Sequence, residues 1–475
     1  SIGTAMNNVD LSLAKSVLDS WVVLILQCHS IVPMILIGTL WYLAAAARRR
    51  EIRALTTKAR RNRRPPDKGF PKVTILLPTR GFRRYSAENW KSILNFQYDG
   101  PLCYVFVVED MNDPSVSIIN ELSETFDGSR SKNAEIVCAG RARHSSQKIH
   151  NLMCGIKHCI KSSRDAQNEY IMCMDDDVQP HSTFLEDLIY DLDSMPDMRV
   201  ATAYPFDIPP TRDASIFSYA TLAYHLPLSV GLAIHTKTRF VWGGCMAFRL
   251  EDMIDDRLGI LSSWSKGGYS DDLTVAAQMG KLGLQIYCPA SAVFPQWLPA
   301  TMTFRQYWNY LRRQLFVLDT YSDAHNKHTN YALVCLLIYG SVGFVAPAVT
   351  IPLRFGLYAF EVFAYSSRLF IPRAWALSAG LFCIGVVYMG VALAQMIAET
   401  ATLISILHGS DRAAITSKLS FFRIAVGFWF AQLVSPVCLA YTLLTPHIVW
   451  TGVSYVRKQG KVSVVSHSAA PCDRY

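Results

Sequence analysis

Three consecutive aspartates follow an apolar run in the stretch YIMCMDDDVQP at positions 170–180. The apolar run predicts a buried strand, and because side chains alternate along extended backbone, Asp175 and Asp177 face one side while Asp176 faces the other. Two carboxylates on one side are typical ligands of a hard divalent cation such as Mg²⁺ or Mn²⁺, with substrate phosphates completing the coordination. Taken alone, the run is explained equally well as a helix N-cap or an exposed acidic turn.

Polar residues follow two further predicted strands, and a lysine begins a predicted helix. The three stretches are LLPTRG at 76–81, VVEDMNDP at 107–114 and SSQKIHN at 145–151. Each is a weak signal alone, but with the aspartate run they offer acceptors for a base and ribose, a metal site and a cation for phosphate, as expected of a nucleotide-diphosphate site. The candidate binding residues are Pro78, Thr79, Glu109, Asp110, Asp113 and Lys148, and Asp175 beside the metal.

Two later stretches carry groups suited to an acceptor and a leaving group. In GGYSDDLTVAAQMGKLG, at 267–283, Asp271 and Asp272 begin a predicted helix. Either Ser270 or Asp271 caps this helix, which leaves a carboxylate free to act as a general base toward a hydroxyl. In RQYWNYLRRQLFVLDTY, at 305–321, Arg312 and Arg313 have the charge to stabilise a leaving diphosphate. An ordinary amphipathic helix is the alternative explanation of this last stretch.

The elements that position these residues form an α/β domain, which we place at 71–321. Short apolar strands alternate there with helical stretches, a pattern typical of a mostly parallel sheet with flanking helices. The candidate strands are 72–78, 103–110, 134–140, 170–177 and 200–206. Several end on Pro, Asp or Gly, and the ligands of open α/β sheets collect at such carboxyl ends.

The composition is not that of an ordinary soluble enzyme, because 51% of the 475 residues are hydrophobic and only 17% are charged. Residues 21–47 contain no Asp, Glu, Lys or Arg and are long enough to cross a bilayer, at about 20 residues per crossing. Ten lysines and arginines against two acidic residues follow at 48–68. The positive-inside rule explains this cluster better than a nucleic-acid partner does, and it puts the α/β domain in the cytosol.

Three more apolar stretches, at 331–353, 374–407 and 421–444, are candidate membrane helices. Another, at 214–234, includes His225 and lies inside the α/β region, so we interpret it as a membrane-facing or acceptor-contacting segment. The basic tail favours a cytosolic C-terminus, and with four clear spans either one is not a full crossing or another is hidden. The division of the chain is an N-terminal region with a membrane helix at 1–47, a basic linker at 48–70, the α/β domain at 71–321, membrane or interfacial helices at 322–450 and a basic tail at 451–475.

Five motifs carry a resemblance to a known family. In combination and order, KIHN at 148–151, DDD at 175–177, WGGCMAFR at 242–249, GGYSDDLT at 267–274 and YWNYLRRQLFVLDTY at 307–321 resemble those of the plant-type ceramide glucosyltransferases, among the inverting family 2-like glycosyltransferases. The likeness covers about 73–321 and, in outline, the flanking membrane segments. It implies a cytosol-facing glycosyltransferase type A domain of a multi-pass Golgi or endoplasmic reticulum protein, with a divalent cation, UDP-glucose as the donor and ceramide as the lipid acceptor.

The resemblance also implies roles for single residues. The family's first aspartate falls on Asp113, its second on Asp175 with Asp177 as the partner at the metal, and its third, the base, on Asp272. The base would remove the proton from the primary hydroxyl of ceramide, which then attacks the anomeric carbon and inverts it.

The final motif of the family, Q or R followed two residues later by Arg-Trp, is only partly present. Arg312 is retained, but Asn309 and Arg313 replace the first polar residue and the tryptophan, which changes the acceptor end of the site. His225 and Trp242, the latter from WGGCMAFR, are further candidates for substrate binding.

Other protein classes remain open. A processive polysaccharide synthase is expected to have an intact QxxRW motif and more membrane helices, and a dolichol-phosphate sugar transferase would use a phosphate acceptor. A membrane scaffold or transporter has no need of carboxylates at three strand ends. The residues do not distinguish glucose from galactose or Mg²⁺ from Mn²⁺, and they leave the oligomeric state open.

Overall fold

The computed structural model describes residues 15–57, 69–125, 134–163, 169–365 and 373–467. Part of the basic linker, 58–68, and the end of the tail, 468–475, lie outside the described residues. The predicted basic cluster is therefore described only at Arg48, Arg49, Arg50 and Arg53.

The centre of the molecule is an eight-stranded sheet in the order β3-β2-β1-β4-β8-β5-β9-β7. β1 lies parallel to β2 and β4, β2 lies parallel to β3, and β8 lies antiparallel to β4 and β5. The α/β fold class predicted from the sequence, with a mostly parallel sheet, is confirmed. The strands of this sheet are β1 (Lys72–Pro78), β2 (Leu102–Val108), β3 (Ala134–Cys138), β4 (Glu169–Met174), β5 (Val200–Thr202), β7 (Lys237–Thr238), β8 (Cys245–Arg249) and β9 (Ile286–Tyr287).

Helices cover both faces of the sheet and continue into a group of long apolar helices. Those before and within the α/β domain are α1 (Trp21–His29), α2 (Ile31–Thr56), α3 (Ser86–Leu94), α4 (Pro114–Thr125), α5 (Gln147–Ser162), α6 (Phe184–Asp193), α7 (Ile216–His225), α8 (Leu228–Ala233), α9 (Leu250–Ile254), α10 (Ile260–Ser265), α11 (Asp271–Lys281) and α12 (Phe304–Phe316). Those that follow are α13 (Ala324–Tyr365), α14 (Arg373–His408), α15 (Arg412–Thr416) and α16 (Phe421–Leu444).

The central strands are apolar throughout because both of their faces are covered. β4 is buried along its whole length, as expected of a strand inside a mostly parallel sheet. On β1, Ile75 packs in the core on one face while Leu76 packs in the core on the other, against α5. A Cβ on Gly155 of α5 would meet Leu76 Cδ1 at 2.3 Å, so this glycine allows α5 to lie close to the sheet.

The predicted strand at 200–206 is divided between two sheets. β5 pairs with β8 and β9 in the large sheet, whereas β6 (Tyr204–Ile208) pairs in parallel with β10 (Val293–Trp297) in a separate two-stranded sheet. Pro205, which lacks an N–H, would interrupt the hydrogen bonds of a central strand and is tolerated in this smaller sheet.

Four stretches of helix are long and apolar enough to cross a membrane among the residues that the structure describes. They are 21–56 (α1 and α2), 324–364 (α13), 373–408 (α14) and 421–444 (α16), and they include the four spans predicted from the sequence. The chain is therefore a membrane protein by the length and composition of these helices. The apolar segment at 214–234 forms α7 and α8 instead, which are short helices packed against α16 and α2.

A third, antiparallel sheet follows the last apolar helix. It consists of β11 (His447–Trp450), β12 (Val453–Lys458) and β13 (Lys461–His467), paired in chain order. We expected a basic tail from 451 onward, and the structure has a folded sheet there instead. Its apolar residues Ile448, Val453, Tyr455 and Val462 are buried together with Tyr269 and Phe316 of the α/β domain, which is why it is ordered.

Candidate active site

Lys148 joins two carboxylates at the edge of the central sheet. It is the second residue of α5, whose first turn is capped by the Ser146 side chain. Its Nζ lies 2.7 Å from Asp175 Oδ1 and 2.9 Å from Asp271 Oδ2, and it donates to the carbonyl oxygen of Gly243 at 3.0 Å. The end of β4, the start of α11 and the loop before β8 therefore meet at one ammonium group.

Burial controls the ionisation of this cluster. Asp271 is 6% exposed, and its burial, together with the charges of Asp272 and Asp175, raises its pKa to about 6 although Lys148 opposes the shift. Burial alone would lower the pKa of Lys148, but Asp175 and Asp271 outweigh it and hold this pKa above its usual value. Lys148 is therefore charged wherever Asp271 titrates.

Asp272 lies beside this cluster in the first turn of α11. Ser270 is the N-cap of the helix, and its hydroxyl also donates to Asp272 Oδ1. Asp272 Oδ1 accepts from the Leu273 N–H at 2.7 Å, and Oδ2 accepts from the Gly243 N–H at 3.2 Å. Because Asp272 is only half-buried while Asp271 is buried, Asp272 is the carboxylate of this pair that a substrate can reach.

The aspartate run follows β4, which ends at Met174, so Asp176 and Asp177 lie in a turn and not in the strand predicted at 170–177. Asp175 and Asp177 are half-buried, whereas Asp176 is 1% exposed. Asp176 Oδ1 lies 3.4 Å from Arg83 Nη1, and its carbonyl oxygen accepts from Trp90 Nε1 at 3.1 Å. Asp176 therefore joins the core of the domain, while Asp175 and Asp177 remain partly exposed.

The donor set at Asp175 and Asp177 fits one kind of metal site. Among the described ranges, no group of three His, Cys, Asp or Glu side chains is arranged to hold a metal ion by itself. Two carboxylates do fit Mg²⁺ or Mn²⁺ when substrate phosphates and water supply the remaining oxygen ligands. The residues are thus suited to a cation that binds together with a phosphorylated substrate.

Glu109, just after β2, is contacted by two arginines and a histidine. Arg80 Nη1 lies 2.7 Å from Glu109 Oε2, and on the other oxygen Arg141 Nε lies 3.5 Å and His467 Nδ1 3.2 Å away. Glu109 is 8% exposed, so these partners compensate a buried charge. His467 belongs to β13, which brings the C-terminal sheet to the predicted nucleotide side of the site.

The other predicted residues on this side organise backbone. Asp113 accepts from the Gly81 N–H at 2.9 Å and from the Ser115 N–H at 2.8 Å, so it joins the loop after β1 to the start of α4. Asp110 is exposed and accepts from the Asn112 N–H at 2.9 Å. Thr79 is buried and its hydroxyl donates to a backbone carbonyl of β1, which Pro78 ends.

His225 lies in a buried polar chain at the end of α7. Its Nδ1 is 2.7 Å from Asp207 Oδ2, and its Nε2 is 2.5 Å from the hydroxyl of Tyr310 on α12. The guanidinium of Arg313 lies 5.5 Å from the ring of Tyr310 and 5.5 Å from the ring of Trp450. The predicted residues His225 and Arg313 are thus brought together through Tyr310.

Trp242 and Arg312 make other contacts. The indole of Trp242 packs against Phe294 and touches both the core under the sheet and the core of the apolar helices. Arg312 donates to the His447 carbonyl oxygen at 2.9 Å and lies 4.8 Å from the ring of Tyr441. In the described residues, no contact joins Arg312 to the carboxylates around Lys148.

Sequence reasoning missed three residues of the site. Gly243 connects Lys148 to Asp272, and its sequence signal is the glycine pair in WGGC. Asp271 was assigned at most a capping role, which Ser270 fulfils. Tyr455 had no signal, because its contact with α5 joins residues about 300 positions apart, at 147 and 455.

Comparison with solved structures gives weak similarities. A mannosyltransferase from Pyrobaculum calidifontis, solved with GDP-Man and Mn²⁺, is 15% identical over 75% of this chain and 99% of its own, with a TM-score of 0.39. TarS 1–349 from S. aureus with UDP is 11% identical over 85% and 100%, with a TM-score of 0.29. A mycobacterial protein is 15% identical over 52% and 74%, also at 0.29. No curated protein matches the chain.

A family model gives a much more specific result. The model described as glycosyl transferase family 21 matches residues 39–342, which is well over half of the chain. The match includes the later part of α2, the whole α/β domain with the cluster around Lys148, and the first part of α13. The resemblance in the motifs was to ceramide glucosyltransferases among the family 2-like enzymes, and the model that matches is that of family 21, which includes ceramide glucosyltransferase. The protein is thus a glycosyltransferase with a type A-like α/β domain, and it belongs to glycosyl transferase family 21.

Proposed function

We propose that this protein transfers glucose from UDP-glucose to the primary hydroxyl of ceramide and inverts the anomeric carbon. Family 21 includes ceramide glucosyltransferase, which supports this choice of substrates. The resemblance in the five motifs supports the same choice. A lipid acceptor also explains why the catalytic domain is joined to long apolar helices at both ends.

The surroundings of Asp272 carry this proposal. Leu273, the residue after Asp272, packs against an apolar core that includes Cys438 and Leu439 of α16. Tyr224 packs against the same core. The accessible carboxylate therefore has an apolar helix on one side and the Lys148 cluster on the other, as a transfer from a soluble donor to a lipid requires.

Asp272 would act as the general base. It would take the proton of the acceptor hydroxyl, whose oxygen would form a bond to the anomeric carbon of the sugar. The bond from this carbon to the diphosphate would break, and its electron pair would leave with UDP. The Gly243 N–H holds Asp272 Oδ2 in place for this step. Oδ1 already accepts from the Ser270 hydroxyl and the Leu273 N–H, so Oδ2 is the oxygen that retains a second lone pair for the incoming proton.

The remaining residues would bind and orient the donor. Asp175 and Asp177 would hold a divalent cation, which when bound neutralises charge on the donor diphosphate. Lys148 would hold the side chains of Asp175 and Asp271 in fixed positions. The nucleoside of the donor would be bound by Glu109, Asp110 and Asp113. For the leaving UDP we propose Arg312 and Arg313 as additional positive charges. Pro78 and Thr79 would also contribute to donor binding. His225 and Trp242 would contribute to acceptor binding.

We also propose a location and orientation. Arg48, Arg49, Arg50 and Arg53 at the end of α2 favour a cytosolic α/β domain by the positive-inside rule. A donor made in the cytosol would then reach the site directly, and the acceptor would enter from the membrane. Such an orientation fits an enzyme of Golgi or endoplasmic reticulum membranes.

The product identifies the acceptor. We expect membranes that contain the full-length protein, labelled UDP-glucose and ceramide to form a glycolipid that resists alkali. Labelled UDP-galactose in a parallel reaction tests the choice of sugar. A polymer would instead indicate a polysaccharide synthase, and an acid-labile lipid would indicate a dolichol-phosphate sugar transferase, and either would contradict our proposal.

Substitutions of the two adjacent aspartates test which of them is the general base. Asp272→Asn removes the proton acceptor while the amide can still hold the Gly243 N–H, so we expect transfer to fall at least ~10³-fold with UDP binding nearly unchanged. Asp271→Asn leaves the base and alters only the partner of Lys148, so we expect a smaller fall, about tenfold. Rates from labelled donor and UDP affinity by calorimetry measure both. Near-normal transfer by Asp272→Asn would show that another group is the base.

A further inference from the structure

The C-terminal sheet contacts two loops that carry the candidate active-site residues. In β13, the Val462 N–H donates to the Gly267 carbonyl oxygen at 3.0 Å, and the Val464 N–H donates to the Arg143 carbonyl oxygen at 3.1 Å. Gly267 lies in the loop before α11, and Arg143 lies in the loop before α5. β13 thus adds backbone hydrogen bonds to the segment that leads to Asp271 and Asp272 and to the segment that leads to Lys148.

These two loops are also hydrogen-bonded to each other. The Ser146 N–H donates to the Gly268 carbonyl oxygen at 2.9 Å. Gly267 has a φ of +91°, a left-handed conformation that favours glycine, and a Cβ there would meet Lys461 Cβ at 3.2 Å. The two loops and β13 are therefore closely packed at Gly267.

Tyr455 of β12 makes the central contact. Its side chain is fully buried, and its hydroxyl accepts from the Gln147 N–H at 3.1 Å. Gln147 is the first residue of α5 and precedes Lys148. The ring of Tyr455 meets the ring of Tyr269 edge-on at 5.4 Å between centroids, one residue before the Ser270 cap of α11. One side chain therefore contacts the starts of both helices that form the site.

Resting on the proposed transferase function, we propose that the C-terminal sheet is a positioning element for catalysis and that Tyr455 is its principal residue. Tyr455 fixes the first turn of α5 relative to the first turn of α11, and thereby the distance between Lys148 and the carboxylate pair. Tyr455 touches no substrate in this scheme, so it acts through Lys148 and Asp272. A displacement of about 1 Å in such groups lowers the rate of a transfer reaction by up to ~100-fold.

Removing one hydroxyl tests this role. Tyr455→Phe keeps the ring contacts but leaves the buried Gln147 N–H without its acceptor, so we expect kcat to fall about tenfold while the KM for the sugar nucleotide changes less than about twofold. The matched control is Tyr104→Phe, because the Tyr104 hydroxyl is also buried and donates to a backbone carbonyl, that of Leu94 at 3.2 Å, away from the site. Equal kcat values in the two variants would show that the contact of Tyr455 is only structural.

A second measurement does not depend on the transfer reaction. Hydrogen exchange of the full-length protein should become faster at 143–151 and 267–273 in Tyr455→Phe and remain at wild-type rates there in Tyr104→Phe. Unchanged exchange in these segments would overturn the positioning role whatever the activity is. Faster exchange in a protein that transfers no sugar to lipid would support the positioning role and contradict the proposed function instead.

Discussion

Lys148 holds a buried carboxylate that would otherwise be uncompensated. Asp271 keeps a pKa of about 6 even with the ammonium group 2.9 Å away, because burial and the neighbouring aspartates act against its ionisation. A carboxyl whose pKa is higher in the folded state than in the unfolded state binds its proton more tightly when folded. Its contribution to stability is therefore present at low pH and is lost as the pH rises from about 4 to about 6.

Lys148→Met should extend the pH-dependent loss of folding stability at Asp271 to higher pH. Without the ammonium group the pKa of Asp271 rises further, so we expect the variant to lose about 3 kcal/mol of unfolding free energy at pH 7 and less at pH 5, where Asp271 is protonated. Thermal unfolding in detergent at several pH values measures this difference. Lys157→Met is the control, because Lys157 is an exposed lysine on the same helix, and the double variant Lys148→Met with Asp271→Asn should lose most of the pH dependence. A cost independent of pH would contradict the coupling.

The sequence predicts some of these residues and not others for a simple geometric reason. The predicted division of Asp176 from Asp175 and Asp177 matches their burial, although Asp176 and Asp177 lie in a turn after β4 and not in the extended strand that we expected to continue to 177. The choice between Asp271 and Asp272 depends on which of them faces Lys148, more than 100 residues earlier. Adjacent residues at a helix start point in different directions, and only the packed structure shows which one is buried.

The loop before β8 contacts both Lys148 and Asp272. The Gly243 N–H donates to Asp272 Oδ2, and the Gly243 carbonyl oxygen accepts from Lys148 Nζ. A Cβ at this position would lie 2.9 Å from Asp271 Oδ2 and 3.1 Å from Lys148 Nζ. These distances are too short for ordinary contact, so any side chain here must push the cluster apart.

Gly243→Ala should therefore damage the site without unfolding the domain. We expect transfer to fall about 100-fold, because both charged groups that the methyl group displaces would position the donor. Gly390→Ala is the matched control, since a Cβ there meets nothing within 4 Å, and it should keep the wild-type rate. Initial rates at saturating donor compare the two. Wild-type activity in Gly243→Ala would mean that the Lys148 cluster does not need this geometry.

Elements differ in how well the sequence predicts them. The strand at 72–78 is found at the same residues, because both of its faces are buried and its apolar run is continuous. The C-terminal sheet was missed, since its core consists of four residues whose partners, Tyr269 and Phe316, lie more than 100 positions away. Short strands that depend on such distant packing leave little periodicity to detect.

The whole molecule suggests how the chain crosses the membrane. Lys15 Nζ lies 2.7 Å from Glu361 Oε1, so the chain just before α1 is close to the later end of α13. At the other ends, the Arg48 guanidinium of α2 lies 5.1 Å from the ring of Tyr204, and the His408 ring of α14 lies 6.1 Å from that of His181. The helices α2, α13 and α14 therefore each have one end at the α/β domain and the other end on the side of the membrane away from it.

The helix α16 differs from the other three, because both of its ends contact the α/β domain. Before it, the Lys418 carbonyl oxygen accepts from the Tyr219 hydroxyl at 3.2 Å, and near its start Arg423 Nη1 donates to the Ala214 carbonyl oxygen at 2.8 Å. After it, His447 is bonded to Arg312. At 24 residues α16 is about 36 Å long and could span a bilayer, yet it lies along α7 and α12.

We therefore predict three crossings, by α1–α2, α13 and α14, with α16 lying in the interface. With four crossings the C-terminal sheet would lie on the side of the membrane opposite the α/β domain. With α16 in the interface the sheet stays on the side of the α/β domain, where it contacts Gly267 and Arg143. Protease sites inserted between Gly409 and Ser410 and after Tyr475 should both be cut from the side that also cuts a site inserted at the exposed Asp255. A site before Ser1 should be protected in the same sealed vesicles. Four full crossings would protect the C-terminal site while the site at 409–410 is cut, and this result would exclude an interfacial α16.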